Sequence, residues 1–138
     1  MLERLQNAEK GMDDSVNLYP SGIIVSPFCH WLAATPDCKV YSPNRIPPYG
    51  LLEIKCQVAE NLLSLKYLAV SNNALKLKTN HNYYYQVQIQ LAVTGLEWCD
   101  FCVWLENDFH VETILFDREF WQTVKDKLDL FYYRFYLN

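Results

Sequence analysis

The chain has 138 residues, of which 51% are hydrophobic, 20% are charged and only four are glycine. That composition suits one folded domain, residues 1–138, with a real core, and excludes a disordered or low-complexity segment. A net charge of −4 and a pI near 5.3 argue against a protein whose main work is to coat nucleic acid, though not against one that touches it through a local patch.

The N-terminal "MLERLQNAEKGMDD" is charged from its third residue and lacks the apolar region of a secretory signal. No run of eighteen apolar residues follows, so the expectation is an intracellular protein, nuclear or cytoplasmic, with no membrane span. The first twenty residues read as polar and weakly helical. After Gly22, "IIVSP" is a short strand rich in β-branched residues. "WLAATPDCKVY" (31–41) gives an apolar run, a Pro-Asp turn and a second strand. "SPNRIPPYG" (42–50) holds three prolines and a glycine and is a loop; "LLEIKC" is the strand that follows it.

"VAENLLSLKYLAV" (58–70), with apolar residues three and four apart, predicts an amphipathic helix. "SNNALKLKTNHN" (71–82) reads as a turn, a short alternating strand with Lys76 and Lys78 on one face, and another turn. By pattern alone "YYYQVQIQLAVT" (83–94) fits strand or helix. Its length and the Gly95 stop favour a helix capped by Asn80 or Asn82, with His81 in the loop before it as a capping or surface residue. Segments 96–106 and 111–116 are strands joined around "NDFH", and a last helix starts after Asp117 as N-cap. This order predicts an α/β domain with one central mixed sheet and helices packed on it.

Five irregularly spaced cysteines suit a reducing compartment. Cys99 and Cys102 form a lone CxxC within a predicted strand, where residues three apart point to opposite faces, so both read as packing residues and not as half of a zinc site. His30 and His110 have no ligand partners at useful spacing.

The informative anomaly is "GLLEIKCQ" (50–57), an apolar strand with Glu53 and Lys55 projecting to one face and Leu52 and Ile54 to the other. Spacing alone favours a solvated pair worth roughly 0–1 kcal/mol, because Glu-x-Lys is a weak motif. Buried, each charge would cost several kcal/mol unless paired or bound to an ion. Asp37 shifts the balance: if its strand pairs antiparallel across the proline-rich loop, it comes to lie beside Glu53. Two carboxylates and a lysine form a hard-oxygen site suited to Mg²⁺ or Mn²⁺, with an amine to orient or deprotonate a water. Gln86 and Gln90, four apart, share a helix face, while Gln88 points elsewhere. Their plainer reading is solvation or core hydrogen bonding. Tyr83, Tyr84 and Tyr85 read as packing residues before base-stacking platforms.

The ordered segments "TPDCKVY", "GLLEIKC", "HNYYYQVQIQLAVTG", "WCDFCVWLEND" and "VETILFDREFW" resemble the YqaJ-like viral recombinase family, which includes the lambda-type alkaline exonucleases of the PD-(D/E)xK superfamily. The resemblance runs over about residues 22–122. It implies a restriction-endonuclease-like fold and Mg²⁺-dependent digestion of DNA, from duplex ends, in recombination. It also implies association into a homo-oligomer, as in the ring-like trimers of some relatives, and a single-strand annealing protein as partner. By the same resemblance Asp37 and Glu53 are metal ligands, Lys55 activates water, and Gln86 helps to position the water or phosphate.

Three departures stand against the family pattern. An upstream glutamate has no clear counterpart, Glu3 and Glu9 being the nearest substitutes. Cys38 replaces a glycine, which would be strained if the turn after Asp37 needs positive φ. Gln57 replaces a proline. Two alternatives therefore stay open beside a nuclease: a catalytically inactive nuclease-fold module that binds DNA ends or a recombination partner, and an interaction domain with no nucleic-acid role. Lys39, Arg45, Lys66, Lys76 and Lys78 are candidate phosphate contacts, each also readable as ordinary surface charge.

Overall fold

The computed structural model describes residues 15–137. Its centre is a five-stranded sheet in the order β1-β4-β5-β8-β9, built from β1 (Asn17–Pro20), β4 (Cys38–Tyr41), β5 (Tyr49–Cys56), β8 (Trp98–Trp104) and β9 (Phe109–Leu115). All neighbours pair antiparallel except β5 and β8, which run parallel from Leu51↔Cys99 to Cys56↔Trp104. A parallel pair needs a long crossover. Here it contains a 3₁₀ turn (Leu62–Ser64), the hairpin β6 (Leu68–Ser71) and β7 (Ala74–Leu77), and helix α1 (Asn82–Thr94). A two-residue-per-strand hairpin, β2 (Ile24–Val25) and β3 (Ala33–Ala34), precedes β4, and helix α2 (Arg118–Phe135) follows β9. The fold is α/β with a mixed sheet, as the element order predicts. Among the described residues no helix is long and apolar enough to cross a membrane.

The alternation of side chains divides the core in two. On one face Leu51, Cys99, Phe101, Val103 and Ile114 pack with Val87 and Leu91 of α1 and with Leu65, Leu68 and Leu77 around the β6–β7 hairpin. On the other, Cys38, Val40, Leu52, Trp98 and Cys102 close over Val16. Cys99 and Cys102 thus fall in opposite cores, as a strand reading of the CxxC requires, and none of the five cysteines forms a disulfide among the described residues. Helix α2 packs on α1 through Phe120, which meets Tyr84 and Tyr85 edge-on, and Tyr132 stacks on Trp31 at 4.4 Å.

Two expectations fail in informative ways. Residues 58–70 are not a helix. Asn61 caps only the short 3₁₀ turn, its Oδ1 accepting from Ser64 N at 3.0 Å, and the chain then enters β6. What overrides the helical spacing is the next turn, where Asn72 and Asn73 both take positive φ (51° and 62°) between Ser71 and its partner Ala74. Two consecutive left-handed residues match the twist of a tight hairpin, so the strand before the turn is fixed by the turn. The second failure lies in the weakly helical N-terminus: residues 17–20 form an edge strand paired with β4, while residues 1–14 lie outside the described part.

The reverse face of the sheet is closed by the loop 42–48. Asp100, fully buried on β8, takes Arg45 Nη1 on Oδ1 at 3.0 Å and Thr113 Oγ1 at 2.7 Å, and Arg45 Nη2 lies 3.0 Å from Oδ2 as an ion pair. The guanidinium also sits 4.1 Å over the Trp98 ring, whose Nε1 donates to Pro47 O at 2.8 Å. Arg45 is therefore an internal counter-ion and not a surface phosphate contact. Gly50 passes directly against the Trp98 indole, and a Cβ there would lie 2.3 Å from its ring atoms. Gly50→Ala should cost roughly 1–3 kcal/mol by overpacking, read as a lower urea midpoint with an unchanged m-value.

Candidate functional site

The site grows from β5. Leu51, Glu53 and Lys55 point to the α1 side of the sheet and Leu52 and Ile54 to the other, as the two-residue period demands. Because β5 is central, Glu53 is not on a solvated face: it is 3% exposed. Its carboxylate is held by three donors. Oε1 accepts from Lys55 Nζ at 2.8 Å and from Gln86 Nε2 at 2.9 Å, and Oε2 accepts from Gln90 Nε2 at 3.0 Å. Lys55 Nζ also donates to Gln86 Oε1 at 3.0 Å, so Glu53, Lys55 and Gln86 form a closed triangle. The lysine's remaining direction is covered by the Tyr83 ring, 4.4 Å from Nζ. A buried charge is tolerable only with such compensation, since each ion costs several kcal/mol to desolvate and each charge-assisted bond returns about 1.5–3 kcal/mol.

Helix α1 is placed to supply the amides. His81 is its N-cap, with Nδ1 accepting from Tyr83 N at 3.1 Å, in place of the expected Asn80 or Asn82; Asn82 is the first helical residue. Gly95 closes the helix at φ 72° with its N–H on Leu91 O, the left-handed stop read from the sequence. Between these caps Gln86 and Gln90 face Glu53. Gln88 faces away, its Nε2 on Leu115 O and its Oε1 taking Asp117 N, both at 2.9 Å. Asp117 is the N-cap of α2, as expected.

Asp37 immediately precedes β4. The β4–β5 register, Cys38↔Leu52 through Tyr41↔Tyr49, sets it across from Glu53 one step beyond the last pair. Its Oδ2 accepts from Ile54 N at 2.8 Å, which ties this exposed carboxylate to the strand beside the Glu53 triangle. Both acids lie near the Cys99 thiol. Burial first, then the charges of Glu53, Asp100 and Asp37, hold that thiol well above its ordinary value of 9.0. The four predicted residues are thus gathered: Glu53, Lys55 and Gln86 in direct contact, and Asp37 on the adjoining backbone.

The donor set fits a divalent cation. Two hard carboxylates meet where β4 and β5 adjoin, Glu53 paired with the Lys55 ammonium and Asp37 holding a backbone N–H on Oδ2. Among the described residues no cluster of three or more His, Cys, Asp or Glu side chains surrounds the position. Glu3 and Glu9 lie outside the described residues. His110 Nε2 is buried without a hydrogen-bond partner among those residues and belongs to no such cluster.

The other departures from the family pattern acquire physical reasons. Cys38 is within β4, and the only non-glycine residues with positive φ among those described are Asn72 and Asn73, so no left-handed strain arises at Cys38. Its side chain packs in the core on the reverse face, away from Glu53. Gln57 uses the N–H that a proline lacks, donating to Trp104 O at 3.1 Å, and its Oε1 accepts from Tyr67 OH at 3.0 Å. Sequence reasoning missed two contributors: the Tyr83 ring over Lys55, and Gln90 as a third donor to Glu53. The four-residue spacing from Gln86 was the available signal for the latter.

The sequence profile of the YqaJ-like viral recombinase domain family matches residues 5–97, more than half of the chain. No curated protein matches it. Among solved structures, the chain is similar to an alkaline exonuclease (LHK-Exo) from Laribacter hongkongensis, with a TM-score of 0.67 and 23% identity. It is also similar to LHK-Exo in complex with dAMP, with a TM-score of 0.63 and 21% identity. Each match covers 94% of this chain and 62% of the other, so the chain spans less than two thirds of that exonuclease. At these identities the likeness concerns the fold, which is restriction-endonuclease-like.

Thiol chemistry reads out the geometry around the site. Burial, and behind it the Asp37 charge, also raise the Cys38 thiol. Thiolate is the reactive form. In the native protein at pH 8, exposed Cys56 should be alkylated first, with Cys38 and Cys99 labelled only on unfolding. This is checked by peptide mass mapping. Both thiols are raised in the folded state, so the stability they confer is complete below pH 9.0 and is lost as pH rises above it, where only the unfolded chain releases their protons. Urea midpoints should fall between pH 8 and pH 10, and replacing both cysteines with alanine should flatten that decline.

Proposed function

The chain belongs to the YqaJ-like viral recombinase domain family, and from that membership we propose that it is a divalent-cation-dependent DNA nuclease. Its substrate on this reading is linear duplex DNA, attacked from an end in recombination or repair. The observation that carries the reading is the buried Glu53 carboxylate, bound by Lys55 and Gln86 and set beside Asp37.

Asp37 and Glu53 would hold Mg²⁺, or Mn²⁺ in its place. When bound, such an ion polarises a phosphoryl oxygen and lowers the pKa of a coordinated water. The chain's own residues do the rest. Lys55 Nζ, presented by β5 and fixed by Glu53, Gln86 and the Tyr83 ring, orients the attacking water; as the ammonium it offsets charge on the phosphorane-like transition state, and only after giving its own proton to solvent can the neutral amine accept one from the water. Gln86, with its Oε1 on Lys55 and its Nε2 on Glu53, keeps the ammonium and the carboxylate in one mutual arrangement. Exposed Lys39, Lys66, Lys76 and Lys78 remain as backbone phosphate contacts. Self-association into a closed ring and pairing with a single-strand annealing protein belong to the same reading.

A second reading keeps the fold as a module that grips DNA ends or a recombination partner without cutting. It is favoured by one observation: no third acidic, histidine or cysteine side chain joins Asp37 and Glu53 among the described residues.

Incubation of linear duplex DNA with Mg²⁺ separates the two. Wild type should digest it, Lys55→Ala should slow digestion by about 10²–10⁴-fold, the range of general acid–base contributions, and Glu53→Gln should slow it by removing a cation ligand. Equal digestion by wild type and Lys55→Ala would sink the nuclease assignment; uptake of metal without cleavage by wild type would favour the binding module. In the absence of DNA, saturating Mg²⁺ should raise the melting temperature of wild type but not of Glu53→Gln.

A further inference from the structure

Helix α1 carries two buried glutamines that behave differently. Gln88 is satisfied at both ends, on Leu115 O and Asp117 N, which is the pattern of a purely structural amide. Gln90, 2% exposed, uses only its donor end. Its Nε2 meets Glu53 Oε2 at 3.0 Å, and its Oε1 is buried with no partner among the described residues. An arrangement that leaves an acceptor unpaired is retained against a cost, and the one contact it secures is to the carboxylate of the candidate cation site.

The two oxygens of Glu53 are consequently unequal. Oε2 is held from within by a donor that has almost no access to solvent. Oε1 is shared by Lys55 Nζ and Gln86 Nε2, both on part-exposed side chains. The terminal torsion of a glutamate is soft and nearly two-fold, so an untethered carboxylate would present either oxygen in a broad range of orientations.

We propose that Gln90 is the positioning residue of the cation site: it locks the plane of the Glu53 carboxylate through Oε2, so that Oε1, beside Lys55 and Gln86, is the oxygen presented to a divalent cation. This rests on the metal-dependent reading above. Gln90 need not touch the ion or the DNA, and it acts only through the orientation of Glu53.

The test uses the full chain and Mn²⁺ alone, with free Mn²⁺ followed by electron paramagnetic resonance and a thermal melt recorded for each protein. Gln90→Met keeps the length and bulk of the side chain and removes the donor. Gln90→Asn keeps the amide and withdraws it by one methylene, and serves if the first variant fails to fold. Both should raise the Mn²⁺ concentration at half-saturation at least tenfold, the usual scale for a residue behind a metal ligand. Gln88→Met should lower the melting temperature and leave Mn²⁺ affinity unchanged. Unaltered affinity in the Gln90 variants, or an equal loss in Gln88→Met, overturns the proposal while the cation reading stands. Failure of wild type to take up Mn²⁺ overturns both.

Discussion

The Glu53 carboxylate is the constraint around which the rest is arranged. A charge on the central strand of a sheet, under a helix, persists only if donors are delivered to it from elsewhere in the chain. Three are: Lys55 from the same strand, and Gln86 and Gln90 from a helix more than thirty residues away. Those contacts fix the rotation of α1 about its axis, because Gln88 must at the same time reach Leu115 and the start of α2. A helix that looks merely apolar in sequence is thus keyed at both sides by amides.

The topology serves the same end. The parallel step from β5 to β8 forces a crossover, and the crossover is where α1 and the β6–β7 hairpin are found. The antiparallel step from β4 to β5 brings Asp37 alongside Glu53 through a loop of seven residues, 42–48. Family membership and the shared fold with an alkaline exonuclease place these two steps in a known architecture. The chemistry proposed for it depends on the residues at the meeting point, not on the architecture.

Much of this was legible beforehand because the signals were local and strong. Period-two alternation gave the faces of Glu53, Lys55, Cys99 and Cys102; Gly95 and Asp117 gave helix boundaries; four-residue spacing separated Gln86 and Gln90 from Gln88. The misreadings arose where a tertiary partner decided the outcome. Residues 58–70 have helical spacing, yet the Asn72–Asn73 turn commits their last part to a hairpin. The edge strand at 17–20 has little strand character of its own and exists because β4 offers it an open ladder. Spacing could not show that Glu53 is buried, since an edge strand and a central one carry Glu-x-Lys equally well. Arg45 looked like surface charge because its partner, Asp100, lies fifty-five residues away.

The Arg45–Asp100 pair carries one more implication. Leu52 is the β5 partner of Asp100 and Phe101 is the partner of Glu53, so two sequestered carboxylates sit one rung apart on opposite sides of the β5–β8 ladder. Each side needs its own compensation before water leaves it: Arg45 arrives with the proline-rich loop, whereas Glu53 has Lys55 on its own strand and receives the Gln86 and Gln90 amides with the helix. On each face the element that excludes water is also the one that brings hydrogen-bond donors to the carboxylate, so burial and compensation come together. The two faces of one ladder are thereby closed by elements far apart in the chain, and the order around Glu53 depends on the helix as that around Asp100 depends on the loop.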